Sequence, residues 1–417
     1  MSKRFRHILT TLRRGPTEAG YAFFRARRRR RNLADEEPEL RAADLDLEDL
    51  EANAEVVRAY AALDALEVGS VQWFLPWFHL ATGGGIHTAL RLAAHLADRH
   101  GVAQRFCIYD REDSAGARDV GAKAAAAFPT LAAASFEPAG APPRDADAAI
   151  ATTWESAFSL VRFRPARAKF FLVQDWEPDF HPAGSASAML GEVARLGIPG
   201  LVNTPGLADA YRAAGSPAVA FTPAVDTRYR PPEAPRDPGA PVRVFFYGRP
   251  ATPRNAFGLG LAALRRVKAR FGDGVEIVCA GEDWSPGQYG VADVLENRGQ
   301  LEDFDEVAAL YRSCDVGIAF MLTRHPSYQP LEFMASGVAT VSNRNPHTAW
   351  LLRHEENALL ADPLPALVAE QVARLVDDPG LRERLAAAGR AEVAGRSWDD
   401  ELERVWGAMT KSGPRFE

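Results

Sequence analysis

The sequence predicts an α/β protein made of two Rossmann-like, doubly wound domains that face a central cleft. Three observations lead there. Short buried strands alternate with helix-length amphipathic segments in two successive series, the pattern of βαβ units and parallel sheets. Between the series, residues 227–241 (TRYRPPEAPRDPGAP) hold five prolines and no periodicity, which marks a linker. Both series also open alike, with a buried strand, a polar loop and a long helix: LPWFHLATGGG before IHTALRLAAHL, and VFFYGRPATPRN before AFGLGLAALRRV. Two such sheets leave a cleft with the C-terminal ends of their strands facing it, where α/β folds bind ligands.

The elements follow from their residues in order. Residues 44–66 read as a helix with acids early and apolar residues later. The first buried strand is 71–76, followed by Thr82, Gly83, Gly84 and Gly85 and then a helix that Gly101 stops. Strands are predicted at 105–110, 148–153, 169–175, 200–205 and 218–225. The second series gives strands at 242–248, 275–281, 315–322 and 339–343, with helices at 255–271, 303–313 and 330–336. Residues 364–394 read as helical, and Ser397 is placed to cap a last helix.

Composition narrows the class. The chain has 417 residues, 47% apolar and 25% charged, enough for more than one buried core. Three cysteines, Cys107, Cys279 and Cys314, are too few and too scattered for a disulfide framework or a zinc cluster, which suits a cytoplasmic setting. No run approaches a membrane span and no signal peptide is visible. The net charge of −6 hides an asymmetry: residues 1–31 hold eleven Lys/Arg against Glu18, and residues 35–51 hold nine acids against Arg41. With Phe5, Ile8, Leu9, Tyr21 and Phe23 interleaved, the basic segment suits an anionic membrane surface, and its bland alternative is a solvated tail. No nucleic-acid module follows it.

Four clusters carry candidate chemistry. Arg249 and Arg254 lie just past a strand end, where they could clamp a diphosphate with help from a helix dipole. Gly83, Gly84 and Gly85 let backbone approach a ligand, but without a GxGxxG spacing and a downstream acid they do not mark a dinucleotide cofactor. His87 in that helix's first turn reads as a helix residue rather than a catalyst. Asp175 and Glu177 end a buried strand, a place for a general base or for groups that bind hydroxyls. The stretch HPSYQPLEFMASG sets Pro330 at the first helical position and Glu332 at the third. The N–H groups of Ser327, Tyr328 and Gln329 are then expected to be open to an anion, and Glu332 either caps the helix or accepts hydroxyls from a ligand. Asp145 and Asp147 resemble a DxD metal motif but stand alone in a Pro/Ala-rich loop, so no metal is assigned.

On these residues (YGRPATPRN, VEIVCAG, HPSYQPLEFMASGVATVSN and SWDDEL, with LPWFHLATGGG, ATTWESAF and FFLVQDWEPDFHPAG ahead of them) the chain resembles the GT-B glycosyltransferases over residues 68–410. Within these it looks most like family-4-type, WsaF-like bacterial rhamnosyltransferases of surface glycan assembly. The resemblance implies residues 68–226 as an acceptor domain, 242–396 as a nucleotide-sugar donor domain, and 397–417 as a helix crossing back. Residues 1–67 precede these. It further implies that Arg249 and Arg254 hold the donor diphosphate beside Ser327 and Tyr328, and that Glu332 binds a ribose or deoxyribose hydroxyl. Gly83, Gly84 and Gly85 would approach the donor from the other domain, and Asp175 and Glu177 would face the acceptor or the transferred sugar. The implied reaction moves a sugar, rhamnose from dTDP-rhamnose, to a glycan or lipid-linked glycan hydroxyl, without a metal or cofactor, in the cytoplasm or at the inner membrane. A UDP- or GDP-sugar donor, or a non-catalytic nucleotide-sugar-binding protein, are the alternatives. One departure stands out. Many members carry a second glutamate eight positions before that of Glu332, and here that position is Arg324.

Overall fold

The computed structural model describes residues 42–410, apart from residues 235 and 238. The basic segment 1–31, with its expected membrane contact, lies outside the described residues.

Helix α1 (Leu47–Ala61) precedes the first sheet, which begins with β1 (Ser70–Leu75), α2 (Gly84–His100), β2 (Ala103–Ile108), α3 (Ser114–Ala127) and β3 (Ser135–Pro138). It continues with β4 (Ala146–Ala151), α4 (Trp154–Arg162), β5 (Ala166–Val173) and α5 (Ser185–Val193). It closes with β6 (Gly200–Asn203), α6 (Pro205–Ala214) and β7 (Ala218–Phe221). The seven strands run parallel in the order β3-β2-β1-β4-β5-β6-β7. Both faces are covered, and the two-residue alternation of a strand sorts side chains between two cores. Val71, Trp73 and Leu75 enter one core and Phe74 the other, while Phe170 and Leu172 part from Phe171 and Val173 in the same way.

The second sheet has β8 (Val242–Gly248), α7 (Phe257–Phe271), β9 (Val275–Gly281), β10 (Glu296–Asn297), α8 (Phe304–Arg312) and β11 (Val316–Ile318). Then come α9 (Gln329–Ala335), β12 (Ala339–Asn343), β13 (Leu359–Ala361), α10 (Pro365–Asp377), α11 (Pro379–Val393) and α12 (Trp398–Thr410). Its six strands are parallel in the order β10-β9-β8-β11-β12-β13. The winding direction reverses between β1 and β4 and again between β8 and β11. Crevices for ligands form outside the C-terminal ends of strands at such switch points.

Helix α12 crosses back onto the first domain. Leu402, Val405 and Met409 join the core that holds Trp73 and Phe170, each contributing about 1.5–3 kcal/mol of burial. Tyr60 Oη donates to Ala408 O at 3.1 Å, Leu66 N–H donates to Thr410 O at 2.9 Å, and Thr222 gives N–H and hydroxyl to Glu401. Ser397 does stand at its N-cap, its Oγ accepting from Asp400 N–H at 3.4 Å.

Two expected elements differ. The strand expected over 315–322 ends at Ile318, although Ala319, Phe320 and Met321 stay buried. Asparagine side chains take over from the ladder: Asn343 Oδ1 accepts from Met321 N–H at 2.9 Å, and Asn255 Nδ2 donates to Phe320 O at 3.1 Å. The helical stretch 364–394 is two helices, because Pro379 lacks an N–H and Asp378 caps the second by accepting from Leu381 N–H at 2.9 Å.

Candidate functional site

Loops leaving β1, β4, β8 and β11, the four switch-point strands, converge on one cleft between the domains. It has two adjoining compartments of about 290 and 350 Å³ that share Gly83, Gly84, Tyr247, Arg249, Tyr328 and Gln329. The first is walled by Tyr229, Phe245, Tyr247, Leu301, Phe304 and Tyr311 and reaches Glu332. The second holds Gln174, Asp175, Glu177, Arg254 and His325. All ten residues singled out as candidates therefore line this cleft.

Arg249 follows β8 directly, and Arg254 sits in the turn Pro253–Asn255 before α7. Arg249 Nε is 3.6 Å from Glu282 Oε1, beyond hydrogen-bond reach, and its Nη1 lies 3.4 Å from Tyr247 Oη. The Arg254 guanidinium stacks on Phe180 at 3.9 Å. Burial holds Arg254 below its ordinary basicity, Asp175 and Glu177 pull the other way, and Arg249 adds to the strain of like charges. Both Nε groups are buried without a hydrogen-bond partner in the protein, as are Gln174 Oε1 and His325 Nε2. Four orphaned polar atoms around one compartment are a concentration that folded chains otherwise avoid.

The two acids differ. Asp175, 8% exposed, accepts from Trp176 N–H through Oδ1 at 2.8 Å and from Thr323 Oγ1 through Oδ2 at 2.9 Å. Burial raises it to about 6, those hydrogen bonds and Arg254 holding it there. Glu177 Oε2 accepts from Trp154 N–H at the start of α4, at 2.8 Å, and burial raises the carboxyl to about 8. Asp175 is thus ionised at neutral pH and Glu177 is mostly protonated, so one can take a proton and the other can give one.

The loop before α9 departs from its sequence reading in two ways. Ser327 has φ of 68°, and its N–H donates to His325 Nδ1 at 2.9 Å, so this N–H is not open to an anion. Its hydroxyl donates to Gln329 Oε1. The bond at Nδ1 places the proton of the neutral imidazole on Nε2, the orphaned atom, and burial lowers His325 to about 3. The helix begins at Gln329, so Glu332 stands fourth and not third, and no side chain caps it. The Glu332 carboxylate instead receives hydrogen bonds from Tyr229 and Tyr311, and burial raises it to about 7. It is an acceptor held inside the cleft, not a helix cap.

Thr88, Asn203, Tyr229 and Tyr311 belong to the site and gave no sequence signal. Tyr328 Oη lies 2.6 Å from Thr88 Oγ1 and accepts from Asn203 Nδ2 at 2.7 Å, across the domain boundary. Tyr229 comes from the proline-rich linker, and Tyr311 from α8. The Tyr328 ring lies close against Gly84, where a Cβ would sit 3.0 Å from it. His87 is occupied: Nδ1 is 3.2 Å from Ala81 O and Nε2 is 3.0 Å from Arg91. Asp147 is also structural, accepting from Gly69 and Ser70 N–H at 3.0 Å each. Arg324 lies over Trp176 at 4.1 Å and 3.7 Å from Asp179.

The half of the chain that carries most of these residues is similar to a known family. The model of the WsaF C-terminal domain matches residues 242–373, which carry Arg249, Arg254, Ser327, Tyr328 and Glu332. The chain is 41% identical over 372 residues to the O-antigen biosynthesis protein RfbC of Myxococcus xanthus, covering 85% of this chain and 28% of that one. It is 31% identical over 188 residues to a phosphatidyl-myo-inositol mannosyltransferase of Mycobacterium tuberculosis, 42% of this chain and 49% of that one. It thus spans less than half the length of these relatives. HepE of Anabaena, solved with UDP and glucose, superposes with a TM-score of 0.61 at 12% identity, over 82% of this chain and 99% of that one. Sucrose-phosphate synthase of Thermosynechococcus elongatus gives 0.60 at 15% identity, over 81% and 98%. The family model thus matches about a third of the chain, and the two solved structures share its two-sheet fold. Among the described residues no helix is long and apolar enough to cross a membrane.

Proposed function

We propose that the chain is a glycosyltransferase of O-antigen or related surface-glycan biosynthesis. It would move a sugar from a nucleoside-diphosphate donor to a glycan or lipid-linked glycan hydroxyl. The carrying observation is the pair Arg249 and Arg254, buried Nε groups unpartnered, at the C-terminal end of β8. A diphosphate would satisfy both guanidiniums and relieve their mutual repulsion. His325 Nε2–H would donate to the same anion or to the transferred sugar. As the bond from the anomeric carbon breaks, its electron pair passes to the terminal phosphate oxygen, where the two arginines take up the charge, so no metal is required of this reading. Asp175 would accept the proton of the incoming hydroxyl, and Glu177 would hydrogen-bond a sugar hydroxyl.

For the donor we favour dTDP, with rhamnose as the sugar. Tyr229 and Tyr311 occupy about two of the four lone-pair sites of Glu332. The two left can receive the 3′-hydroxyl of a deoxyribose or both hydroxyls of a ribose, so the preference for dTDP rests on the resemblance to the WsaF-like rhamnosyltransferases. The relative solved with UDP keeps a UDP-sugar as the second reading. Calorimetric titration with dTDP, UDP and GDP decides between them. The tightest binding is expected for dTDP, and equal or tighter binding of UDP would overturn the choice of base.

A further inference from the structure

Away from the cleft, helix α12 packs beside the C-terminal end of α2 through a polar cluster that sugar transfer does not use. Among the described residues, His95, His100 and Glu403 are the one group of three potential ligands whose donor atoms all lie within 4.8 Å of one another. Glu403 Oε1 is 3.0 Å from His95 Nε2 and 3.0 Å from His100 Nε2. We propose that these three side chains bind a divalent transition cation of the zinc class.

Two bonds of about 2.1 Å that meet at the tetrahedral angle span about 3.4 Å, so a small turn of the exposed Glu403 carboxylate would open the present 3.0 Å separations to ligand spacing. Two imidazoles with one carboxylate favour zinc-like ions over calcium or magnesium. The surroundings support the ligands as well. His95 is only 6% exposed, and its other nitrogen, Nδ1, faces Asp399 Oδ1 at 3.6 Å. That distance is beyond hydrogen-bond reach, and a slight approach of Asp399 would give the carboxylate that commonly orients a metal-bound imidazole. Asp399 is held in turn by Arg99 at 3.4 Å, and the His100 ring stacks on Trp406 at 4.1 Å. Hydrogen bonds to Glu403, the burial of His95 and the stacking of His100 hold both imidazoles in place.

The ligands come from two helices distant in sequence, so a cation here would staple the crossing helix α12 to α2. Helix α2 has 17 residues, which puts its glycine-rich start in the cleft about 25 Å from its end. The cation would thus secure the crossing helix and take no part in the chemistry of the cleft.

The test uses the full chain, free of any affinity tag and stripped with chelator. Titration with Co²⁺ is followed by visible ligand-field absorption, and Zn²⁺ is then added in competition. One Co²⁺ per chain is expected, displaced by Zn²⁺, with Zn²⁺ raising the melting temperature. Glu403→Gln keeps a hydrogen-bonding side chain and should lower cation affinity about 10–100-fold, and Asp399→Asn by a similar factor. The absence of stoichiometric binding by the native chain would overturn the proposal. So would undiminished binding by folded Glu403→Gln and His100→Gln variants, which would show the cluster to be only hydrogen-bonded.

Discussion

Tyr328 gives its hydroxyl proton to Thr88 Oγ1 at 2.6 Å, because Thr88 gives its own to the Gly84 carbonyl at 2.9 Å. That contact joins the loop before α9 to the first turns of α2, and Asn203 completes it by donating to Tyr328 Oη. The residues on either side are backbone-strained: Thr204 has φ of 116° and Ser327 of 68°. Strain and an interdomain hydrogen bond thus meet beside the proposed diphosphate site. Tyr328→Phe strands a buried amide donor and should lower stability by about 1–3 kcal/mol. Chemical denaturation measures this; a change below about 0.5 kcal/mol would mean that the contact does not hold the domains.

Nucleotide affinity should respond to the arginines one at a time. Arg254→Ala and Arg249→Ala are each expected to weaken dTDP binding about 10–100-fold, the loss of hydrogen bonds from a charged donor. Calorimetry reads this directly, and unchanged affinity in both would remove the diphosphate from this place.

Glu332 makes that affinity depend on pH. Its carboxyl is raised to about 7, and a hydroxyl donor favours the ionised form. Binding should therefore strengthen as pH rises from 6 to 8, and Glu332→Gln should flatten that slope. A slope that persists in the variant would assign it to another group.

Glu177 bears on stability with the opposite slope. Its folded carboxyl keeps a proton up to about 8, whereas the unfolded chain releases it near 4.5. The folded state binds more protons across that window, so this contribution is fully present below 4.5 and is lost as pH rises to 8. Glu177→Gln can still accept from Trp154 N–H, and melts between pH 5 and 8 should show a shallower decline than in the native chain. An unchanged decline would contradict the buried, protonated carboxyl.

Asp175→Asn should lower turnover about 10²–10⁴-fold while leaving donor affinity nearly unchanged, if it takes the hydroxyl proton. A loss confined to donor affinity would make Asp175 a binding group.

Much of this was legible in the sequence because it depends on local pattern. Strand period, helix period and a proline-rich break located both sheets, and the strand-end positions of Arg249, Arg254, Asp175 and Glu177 followed from them. What stayed hidden depends on distant partners. Nothing local shows that Tyr229 from the linker and Tyr311 from α8 meet at Glu332, or that Tyr328 reaches Thr88 and Asn203 in the first domain. The helix-start reading of Glu332 was reasonable by spacing, yet tertiary hydrogen bonds drew its side chain into the cleft. The irregular buried stretch 319–321 was likewise invisible, since the asparagines that satisfy it lie more than twenty residues from it on β12 or more than sixty before it.

The most direct test of sugar transfer follows dTDP-rhamnose by mass spectrometry, with and without a lipid-linked glycan acceptor, in the native chain and in Arg254→Ala. The expected result is glycosylated acceptor and free dTDP in equal amounts, only when acceptor is present, and sharply less in the variant. Saturable donor binding with no product on any acceptor, or conversion of the donor without acceptor, would contradict it.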